Sequence, residues 1–295
     1  MEIFNIFELE EGIEFMDIGA AAIAETPIYR RPMELSLGHL NAFDGDERKI
    51  EKLKDTYGPN VSIFNDFLFD GKPQNVYLCA PESGMTSLLK PKETALRFFN
   101  GFEHIGSVQS IERVETKRLD DIDGLPDIDF LKMDTQGAEL TILHHGTQKL
   151  RSCISMQVEV AYLCLYENQP TFGDIDLWMR ETGLVPHCFL DVKRWSITPT
   201  IFDNNFRTPG NQLLESDIVY IRDPLKINEW TDLEIKKMSV LAHYCFISFD
   251  LCAFCLIELE RRQLLPEESF KKYLSTHRLD VNRVCKLPLM SKTEA

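Results

Sequence analysis

The sequence is short of positive charge: 32 Lys and Arg stand against 47 Asp and Glu in 295 residues, a formal net charge of -15 at pH 7. Proteins that bind nucleic acids or anionic membranes neutralise phosphates with Lys and Arg, so this acidic surface would repel both partners. We therefore expect no nucleic-acid partner. The hydrophobic share of 44% and the charged share of 27% are ordinary for a soluble globular protein that buries a sizeable core.

Targeting and membrane signals are also missing. Residues 1–8 carry neither the basic region nor the cleavage site of a secretory signal, so we expect a cytoplasmic protein. Residues 238–259 have the length of a membrane span, but His243, Asp250 and Glu258 interrupt them and no basic flank precedes them. We expect no membrane span here. A helical hairpin, either buried or forming a homodimer, is favoured instead.

No disulfide or metal pattern is present. Many of the eight Cys lie inside apolar runs and are predicted to be reduced core residues of a cytosolic protein. Cys252 and Cys255 are i, i+3 neighbours that could share a metal, but no matching pair of Cys or His lies near them in the sequence. The sequence therefore predicts no metal site.

Residues 13–22 predict a first strand that stops at Asp17 and turns on Gly19 into a segment of small residues. A strand, turn and helix in this order lets backbone amides approach a ligand. The G-x-G-x-x-G pattern is missing, because Ala20 and the two alanines after it stand where a dinucleotide fold carries glycines, and Pro27 soon breaks any helix. A dinucleotide oxidoreductase is therefore disfavoured.

The next segments continue an α/β pattern. Residues 37–44 predict a second strand that ends on Asp44, and residues 47–57 predict a helix. An acid at the tip of the second strand is placed to accept both ribose hydroxyls of a nucleoside, although Asp44 could also cap the helix. Residues 61–66 predict a third strand, and a turn at residues 71–75 leads into a strand at residues 76–80, so a small hairpin over residues 61–80 is predicted.

Residues 127–139 carry the strongest pattern in the chain. An apolar run ends abruptly on Asp134, after which Thr135 can cap a helix and Gly137 allows a close approach. A carboxylate then lies where strand meets helix, and ligands of open α/β sheets bind at the carboxyl ends of the strands. Glu139 could serve the same chemistry, or could stabilise the first turn of the helix without any catalytic duty.

Strands and helices keep alternating, which predicts a doubly wound α/β sheet. Residues 154–160 predict a strand with Glu159 near its end, and residues 174–182 predict a short helix. Two further strands are predicted at residues 185–192 and 217–221. Beyond Pro224 the character changes: residues 231–265 read as a long apolar helix, and a second helix is predicted from Pro266.

Several short motifs occur in a characteristic order. They are Phe-Met-Asp17-Ile-Gly19-Ala, Ala-Phe-Asp44, Gly84-Met-Thr-Ser87-Leu, Lys132-Met-Asp134-Thr-Gln136-Gly137-Ala-Glu139, and Leu-Tyr166-x-x-Gln169-Pro. In this order the motifs resemble those of FkbM-type methyltransferases, over roughly the first three quarters of the chain. The Lys-Met-Asp-x-x-Gly-Ala-Glu element is the most specific of them.

The resemblance implies a class I S-adenosylmethionine (SAM) fold, in which a Rossmann-like sheet has seven strands, the last of them antiparallel. It implies a SAM-dependent methyltransferase domain at residues 1–225, followed by a helical hairpin or dimerisation extension at residues 226–295. The expected reaction is O-methylation of a hydroxyl on a sugar, a glycan or a secondary metabolite. The expected acceptor is thus a small molecule or a glycan.

The resemblance and the strand-end positions also assign roles to residues. The SAM amino-acid end would be held by Asp17, Gly19 and Ala20, its ribose by Asp44 and its adenine by Asp66. The acids that could act as base or orient the acceptor are Asp134, Glu139 and Glu159. The acceptor would be contacted by Ser87, Gln136, Tyr166 and Gln169, although Tyr166 and Gln169 are explained equally well as packing. His145 is a further base candidate, but at helical spacing it is more often a surface residue.

The sequence departs from the family pattern at two places. Family members usually continue Asp-Ile-Gly-Ala with Asn and a further Gly, whereas Ala21, Ala22 and Ile23 follow here. The acid that is common two residues after the Asp of the central element is Gln136 in this chain. A second hypothesis is therefore a non-catalytic SAM-fold module that scaffolds a partner or dimerises through its C-terminal helices.

Overall fold

The computed structural model describes residues 9–19, 26–43, 56–80 and 83–276. Two residues with predicted roles, Ala20 and Asp44, lie outside these ranges, as does most of the helix predicted at residues 47–57. The chain divides into two compact units, Gly12–Leu225 and Lys226–Ala295 together with Met1–Glu11. We call them the sheet unit and the helical unit.

Eleven strands lie in the described part of the sheet unit. In chain order they are β1 Ile13–Ile18, β2 Gly38–Phe43, β3 Val61–Phe64, β4 Phe67–Leu68, β5 Gln74–Leu78, β6 Ser110–Val114, β7 Thr116–Lys117, β8 Phe130–Met133, β9 Ser155–Ala161, β10 Leu184–Trp195 and β11 Gln212–Arg222. Five helices accompany them: α1 Arg30–Glu34, α2 Glu93–Phe98, α3 Phe102–Ile105, α4 Glu139–His144 and α5 Phe172–Glu181.

Seven of the strands form one sheet in the order β10-β11-β9-β8-β1-β2-β3. The strands from β9 to β3 pair in parallel, whereas β11 runs antiparallel to both β9 and β10. The predicted seven-stranded, mostly parallel α/β sheet is therefore confirmed. Because β1, β8 and β9 run in the same direction, their carboxyl ends lie at one edge of the sheet, where ligands bind in such folds.

The centre of the sheet is apolar because helices and loops cover its strands. All residues of β8 are buried, and Phe130, Leu131 and Met133 have no exposed surface. A parallel strand buried on both faces needs such a continuous apolar run. Helix α5 adds a stripe of buried side chains that joins this core, Ile175, Trp178 and Met179. Its amino end is held by a capping box between Thr171 and Asp174.

The predicted hairpin at residues 61–80 is wrong. Strand β5 pairs antiparallel with β6, and β4 pairs in parallel with β7, in two small separate sheets. The sequence pattern located strand segments near β3 and β5. It carries no information about which strand lies alongside, and here the chosen partners are more than thirty residues away in sequence.

The helical unit contains the helices α6 Asp232–Tyr244, α7 Phe249–Arg261 and α8 Ser269–Thr276. The single long helix predicted at residues 231–265 is wrong, because the chain breaks at Ile247, which has a φ of 53°. No Gly or Pro marks this break, and the apolar pattern continues across it. In the described residues, no helix has the length and apolar character needed to cross a bilayer.

Candidate active site

The ends of β1 and β8 are in direct contact. The Asp134 amide donates a hydrogen bond to the Ile18 carbonyl at 3.1 Å. Gly19 has a φ of 85°, and a Cβ on this residue would lie 2.1 Å from the Asp134 carbonyl oxygen. Any side chain would therefore clash with backbone, so glycine is required at this turn. The predicted importance of Gly19 thus has a packing cause in addition to any role in ligand binding.

Asp17 lies at the carboxyl end of β1 and is 1% exposed. Its Oδ2 accepts a hydrogen bond from the Tyr29 hydroxyl at 2.5 Å, and the Lys132 ammonium is 3.6 Å from its Oδ1. That distance is too long for a good hydrogen bond, and Oδ1 is a buried oxygen with no hydrogen-bond partner in the described residues. Burial raises the pKa of Asp17, despite the opposing effect of Lys132.

Lys132 is a buried cation beneath this edge, 9% exposed and adjacent to Asp17 in the register of β1 and β8. Burial lowers the pKa of the Lys132 ammonium, but the carboxylates around it outweigh burial and raise that pKa. These carboxylates are Asp17, Asp134, Asp217 and Glu159. A fixed positive charge therefore sits among the acids and limits their mutual repulsion.

Glu139 holds the turn that follows β8. Its Oε1 accepts three hydrogen bonds, from the Thr135 amide and hydroxyl at 2.9 Å each and from the Gly137 amide at 3.1 Å. The predicted helix cap by Thr135 is wrong, because α4 begins at Glu139 and its N-cap is Ala138. Glu139 is 3% exposed, and burial raises the pKa of its carboxyl group. Its position is thus fixed by the turn that it organises.

Gln136 connects the acids of two strands. Its Nε2 donates to Asp134 Oδ1 at 2.8 Å and to Glu159 Oε2 at 3.1 Å. Its Oε1 accepts from the Tyr166 hydroxyl at 2.9 Å, and its backbone carbonyl accepts from the Ser87 hydroxyl at 2.7 Å. The polar atoms of the Gln136 side chain are therefore all engaged with protein partners. The amide holds both carboxylates without adding negative charge.

Glu159 continues the cluster on β9. Its Oε1 lies 3.3 Å from the Lys193 ammonium, which also binds Glu215 at 2.9 Å. Burial raises the pKa of Glu159 well above its ordinary value, and the negative charges of Asp134 and Glu215 add to this effect. Burial also raises the pKa of Glu215. Lys193 is thus shared by the carboxylates of Glu159 and Glu215 at this edge of the sheet.

Sequence reasoning missed the cations and the second glutamate of this cluster. Lys193 and Glu215 face each other across β10 and β11, and Lys132 interrupts the apolar run of β8. A charge inside a fully buried strand is the signal for Lys132, since such charges are rarely buried without a partner, whereas the largely exposed β10 gives no such signal for Lys193.

The other predicted residues divide into two groups. Ser87 and Tyr166 join the cluster through Gln136, and Gln169 lies beside them, with its Oε1 accepting from the Leu165 and Tyr166 amides at 2.7 and 3.2 Å. Asp66 does not join it: its nearest cation is Lys117 at 2.8 Å, in an exposed pair.

His145 was a further candidate base, and Cys252 and Cys255 were a candidate metal pair. His145 is the C-cap residue of α4, at the end of the helix opposite Glu139. Within the described residues, no group of three or more His, Cys, Asp or Glu side chains is arranged to hold a metal ion. Cys252 and Cys255 are buried in α7, and burial raises the pKa of both thiols, that of Cys255 to about 12.

Comparison with known proteins decides the family. Residues 17–185 match the model of the methyltransferase FkbM domain, which is more than half of the chain. The chain belongs to this methyltransferase family. The resemblance found in the motifs is thereby confirmed, and the matched segment contains the carboxyl end of β1 from Asp17, together with β8 and β9 and the acids at their ends. No curated protein matches this FkbM-family chain.

Solved structures similar to this FkbM-family chain include two SAM complexes. Magnesium protoporphyrin IX methyltransferase from Synechocystis PCC 6803 with bound SAM is 11% identical, covering 72% of this chain and 71% of its own, with a TM-score of 0.33. M. jannaschii TYW2 in complex with AdoMet is 10% identical, covering 73% of this chain and 72% of its own, with a TM-score of 0.31. Similarities of this size do not identify any residue of the site.

Proposed function

We propose that this FkbM-family methyltransferase uses SAM to methylate a hydroxyl group on a sugar, a glycan or a secondary metabolite. The observation that carries the proposal is the position of Asp134. It follows β8 at the carboxyl edge, touches the Gly19 turn at the end of β1, and is joined to Glu159 on β9 through Gln136. A carboxylate at this place stands between the expected cofactor side and the expected acceptor side of the sheet.

The residues at the end of β1 fit the cofactor. The buried Asp17 Oδ1 has no hydrogen-bond partner in the described residues, so it can accept a bond from the amino group of SAM. The backbone at Gly19 carries no side chain to obstruct the amino-acid end. We infer that Asp17, Gly19 and Ala20 hold that end, Asp44 the ribose and Asp66 the adenine. The pairing of β11 antiparallel to both neighbours also fits the class I arrangement.

Of the three acids, the geometry favours Asp134 as the base. Glu139 Oε1 is occupied by three hydrogen bonds, and Glu159 is held between Gln136 and Lys193. Asp134 is partly exposed, and its Oδ2 has no hydrogen-bond partner in the described residues. We infer that Glu139 shapes the turn and that Glu159 orients Asp134 through Gln136.

The chemistry follows from that assignment. SAM supplies a methyl group on a sulfonium, so transfer disperses a positive charge instead of creating a new one. The protein has to align the acceptor hydroxyl with that methyl, exclude water, and accept the hydroxyl proton at Asp134 Oδ2. Gln136 keeps Asp134 Oδ1 occupied, which leaves Oδ2 as the oxygen directed at the acceptor.

The test begins with isothermal titration of SAM into the folded wild-type protein. Binding is expected, and the absence of binding would refute the proposal. The protein is then incubated with SAM and candidate glycans, and the product mass is searched for one added methyl group. Asp134→Asn should bind SAM but transfer methyl roughly 10²- to 10⁴-fold more slowly.

Asp127→Asn is the matched control, because Asp127 is an exposed acid of the same segment that pairs with Arg151 on the surface. It should retain wild-type transfer. A protein that binds SAM but yields no product with any acceptor, in either the wild-type or the Asp134→Asn form, would instead favour the non-catalytic module.

A further inference from the structure

Lys132 is a charged residue inside the apolar strand β8, and it has no role in the proposed transfer step. All four residues of β8 are buried, and Lys132 itself is 9% exposed. A lysine ammonium is strongly hydrated in water, so its burial costs free energy unless a carboxylate compensates. An apolar residue would fill the same position without that cost. The partner of the ammonium therefore indicates what the charge does.

The partner of Lys132 is Asp17. The two residues are opposite each other in the register of β1 and β8, so their side chains lie on the same face of the sheet. The Lys132 Nζ is 3.6 Å from Asp17 Oδ1, and the two side chains are only 11% and 2% exposed. The neighbour of Lys132 on the other side, Gln157 of β9, is neutral. Water and salt screen such a buried pair much less than a surface ion pair.

The geometry of this pair supplies charge without occupying the acceptor. At 3.6 Å the ammonium makes no good hydrogen bond, and Asp17 Oδ1 has no hydrogen-bond partner in the described residues. The other oxygen, Oδ2, accepts from the Tyr29 hydroxyl at 2.5 Å. Tyr29 thus fixes the orientation of the carboxylate, and Lys132 favours its ionised form. One oxygen of an oriented anion is left for a ligand.

The other surroundings of Asp17 work against its charge. Burial raises the pKa of the Asp17 carboxyl group, and the negative charge of Asp134 adds to this effect. Lys132 and the hydrogen bond from Tyr29 act in the opposite direction. The other titratable groups of the described residues that act on Asp17 or Lys132 are uncharged or acidic: Tyr29, Tyr57, Asp134, Glu159 and Asp217. Lys132 is therefore the cation that opposes the loss of charge on Asp17.

We propose that Lys132 is a positioning residue for the cofactor: it keeps Asp17 ionised, so that Asp17 Oδ1 binds the positively charged amino group of SAM. The inference extends the role of Asp17 in the proposed function and rests on that function. A neutral Asp17 would lose the charge-assisted part of its hydrogen bond to an ammonium group. The proposal accounts for a lysine at a strand position whose neighbours along β8 are apolar.

The test measures the binding of S-adenosylhomocysteine, which has the same amino-acid end as SAM. Isothermal titration at about pH 5.5 and about pH 7.5 compares the wild type with Lys132→Met. Without the ammonium, Asp17 takes up its proton at a higher pH. The variant should therefore bind roughly tenfold more weakly at the lower pH, and the loss should shrink at the higher pH. Unchanged binding, or a loss that is equal at both pH values, would overturn the inference.

A double variant tests whether Lys132 acts through Asp17. Asp17→Asn mimics the protonated acid, so it should bind S-adenosylhomocysteine weakly at both pH values. Lys132→Met added to Asp17→Asn should cause no further loss, whereas a second loss of similar size would overturn the inference. Lys72→Met is the matched control, because Lys72 is an exposed lysine that lies 3.7 Å from Asp70 Oδ2. It should behave as the wild type.

A measurement on the wild type needs no variant of Lys132 and no ligand. Carboxyl ¹³C NMR of the full-length protein, with the Asp17 signal assigned from its loss in Asp17→Asn, reads the ionisation of Asp17 directly. Asp17 should be ionised at pH 7, and a protonated Asp17 at that pH would overturn the inference even if Lys132→Met does not fold. Failure of the methyltransferase proposal is a separate result, since it is read from SAM titration and product mass.

Discussion

Glu159 in the sheet unit and Glu258 in the helical unit expose the same fraction of their side chains, 10% each, but Glu159 lies deeper in the protein. Their pKa values nevertheless shift in opposite directions. Hydrogen bonds from Arg261 and Arg262 lower the pKa of Glu258, against a smaller effect of burial. Burial raises the pKa of Glu159. Its two partners, the Gln136 amide and the Lys193 ammonium that it shares with Glu215, are too few to offset this effect. The depth of burial and the number of charged hydrogen-bond donors together set the direction of each pKa shift.

The surroundings of the two glutamates explain the difference. Glu258 accepts three charge-assisted hydrogen bonds of 2.6 to 2.7 Å from Arg261 and Arg262. Arg262 also donates to the carbonyls of Ile227 and Trp230, which anchors the start of the helical unit. Glu159 has acids as neighbours instead. Carboxyl groups such as Glu159, whose pKa is raised by burial and by neighbouring acids, occur often at functional sites, where reactivity takes precedence over stability.

The largest expected effect tests this contrast directly. Glu258→Gln should lower the free energy of unfolding by about 3 kcal/mol, because it removes the charge from an acceptor of three hydrogen bonds, two from the exposed Arg261 and one from the largely buried Arg262. Glu159→Gln at pH 7 should leave that free energy equal to or above the wild-type value, because the folded protein disfavours the ionised form of Glu159. Urea denaturation measures both. Losses of the same size in the two variants would contradict the comparison, and the surface variant Glu93→Gln serves as the reference.

A second variant sharpens the role of the amide between the acids. Gln136→Glu should lower the free energy of unfolding by about 2 kcal/mol at pH 7, because it turns a donor to two carboxylates into a third carboxylate. The loss should shrink on acidification, which protonates the cluster. Gln157→Glu is the matched control. The Gln157 amide donates to one carboxylate, that of Asp217, and Gln157 lies opposite Lys132 in the pairing of β8 and β9. A loss in Gln157→Glu as large as that in Gln136→Glu would refute the special position of Gln136.

The pH dependence of stability gives a third test. The folded state of Glu159 binds its proton more tightly than the unfolded state, whose pKa is about 4.3. As pH rises above that value, the unfolded chain has lost a proton that the folded chain retains. The free energy of unfolding should then fall with rising pH by up to about 1.4 kcal/mol per unit for one proton, until pH passes the raised folded pKa.

Glu159→Gln should flatten this slope, measured by urea denaturation at several pH values. The charged groups that act on the Glu159 carboxyl are Asp134, Glu215, Lys193 and Glu139. A wild-type slope of the opposite sign, or one that persists unchanged in Glu159→Gln, would show that Glu159 is not protonated in the folded protein.

The smallest expected effect concerns an acid that is not crowded. Asp66 pairs with Lys117 at the surface, where ion pairs contribute little, so Asp66→Asn should change stability by less than about 0.5 kcal/mol. If Asp66 contacts the cofactor as proposed, its substitution should still weaken SAM binding in isothermal titration. Unchanged affinity would remove Asp66 from the cofactor site and leave it as a surface ion pair.

Much of the candidate site was predictable because its signal is local. Apolar runs that end on Asp17 and Asp134, and a run that carries Glu159, identify acids at strand ends without knowledge of the fold. Parallel pairing then brings such ends to one edge, as the positions in β1, β8 and β9 bear out. The family follows from the same short motifs, since their residues are read directly from the sequence.

The amino-acid sequence by itself located the main strands, identified the acids near their ends, and showed the motifs shared with FkbM methyltransferases. Only the tertiary structure decided which charges meet. Lys193 lies 34 residues from Glu159, and Tyr166 lies 30 residues from Gln136. Partner choice, the break at Ile247 and the pKa of each carboxyl group depend on burial and on distant strands, and no local pattern encodes these.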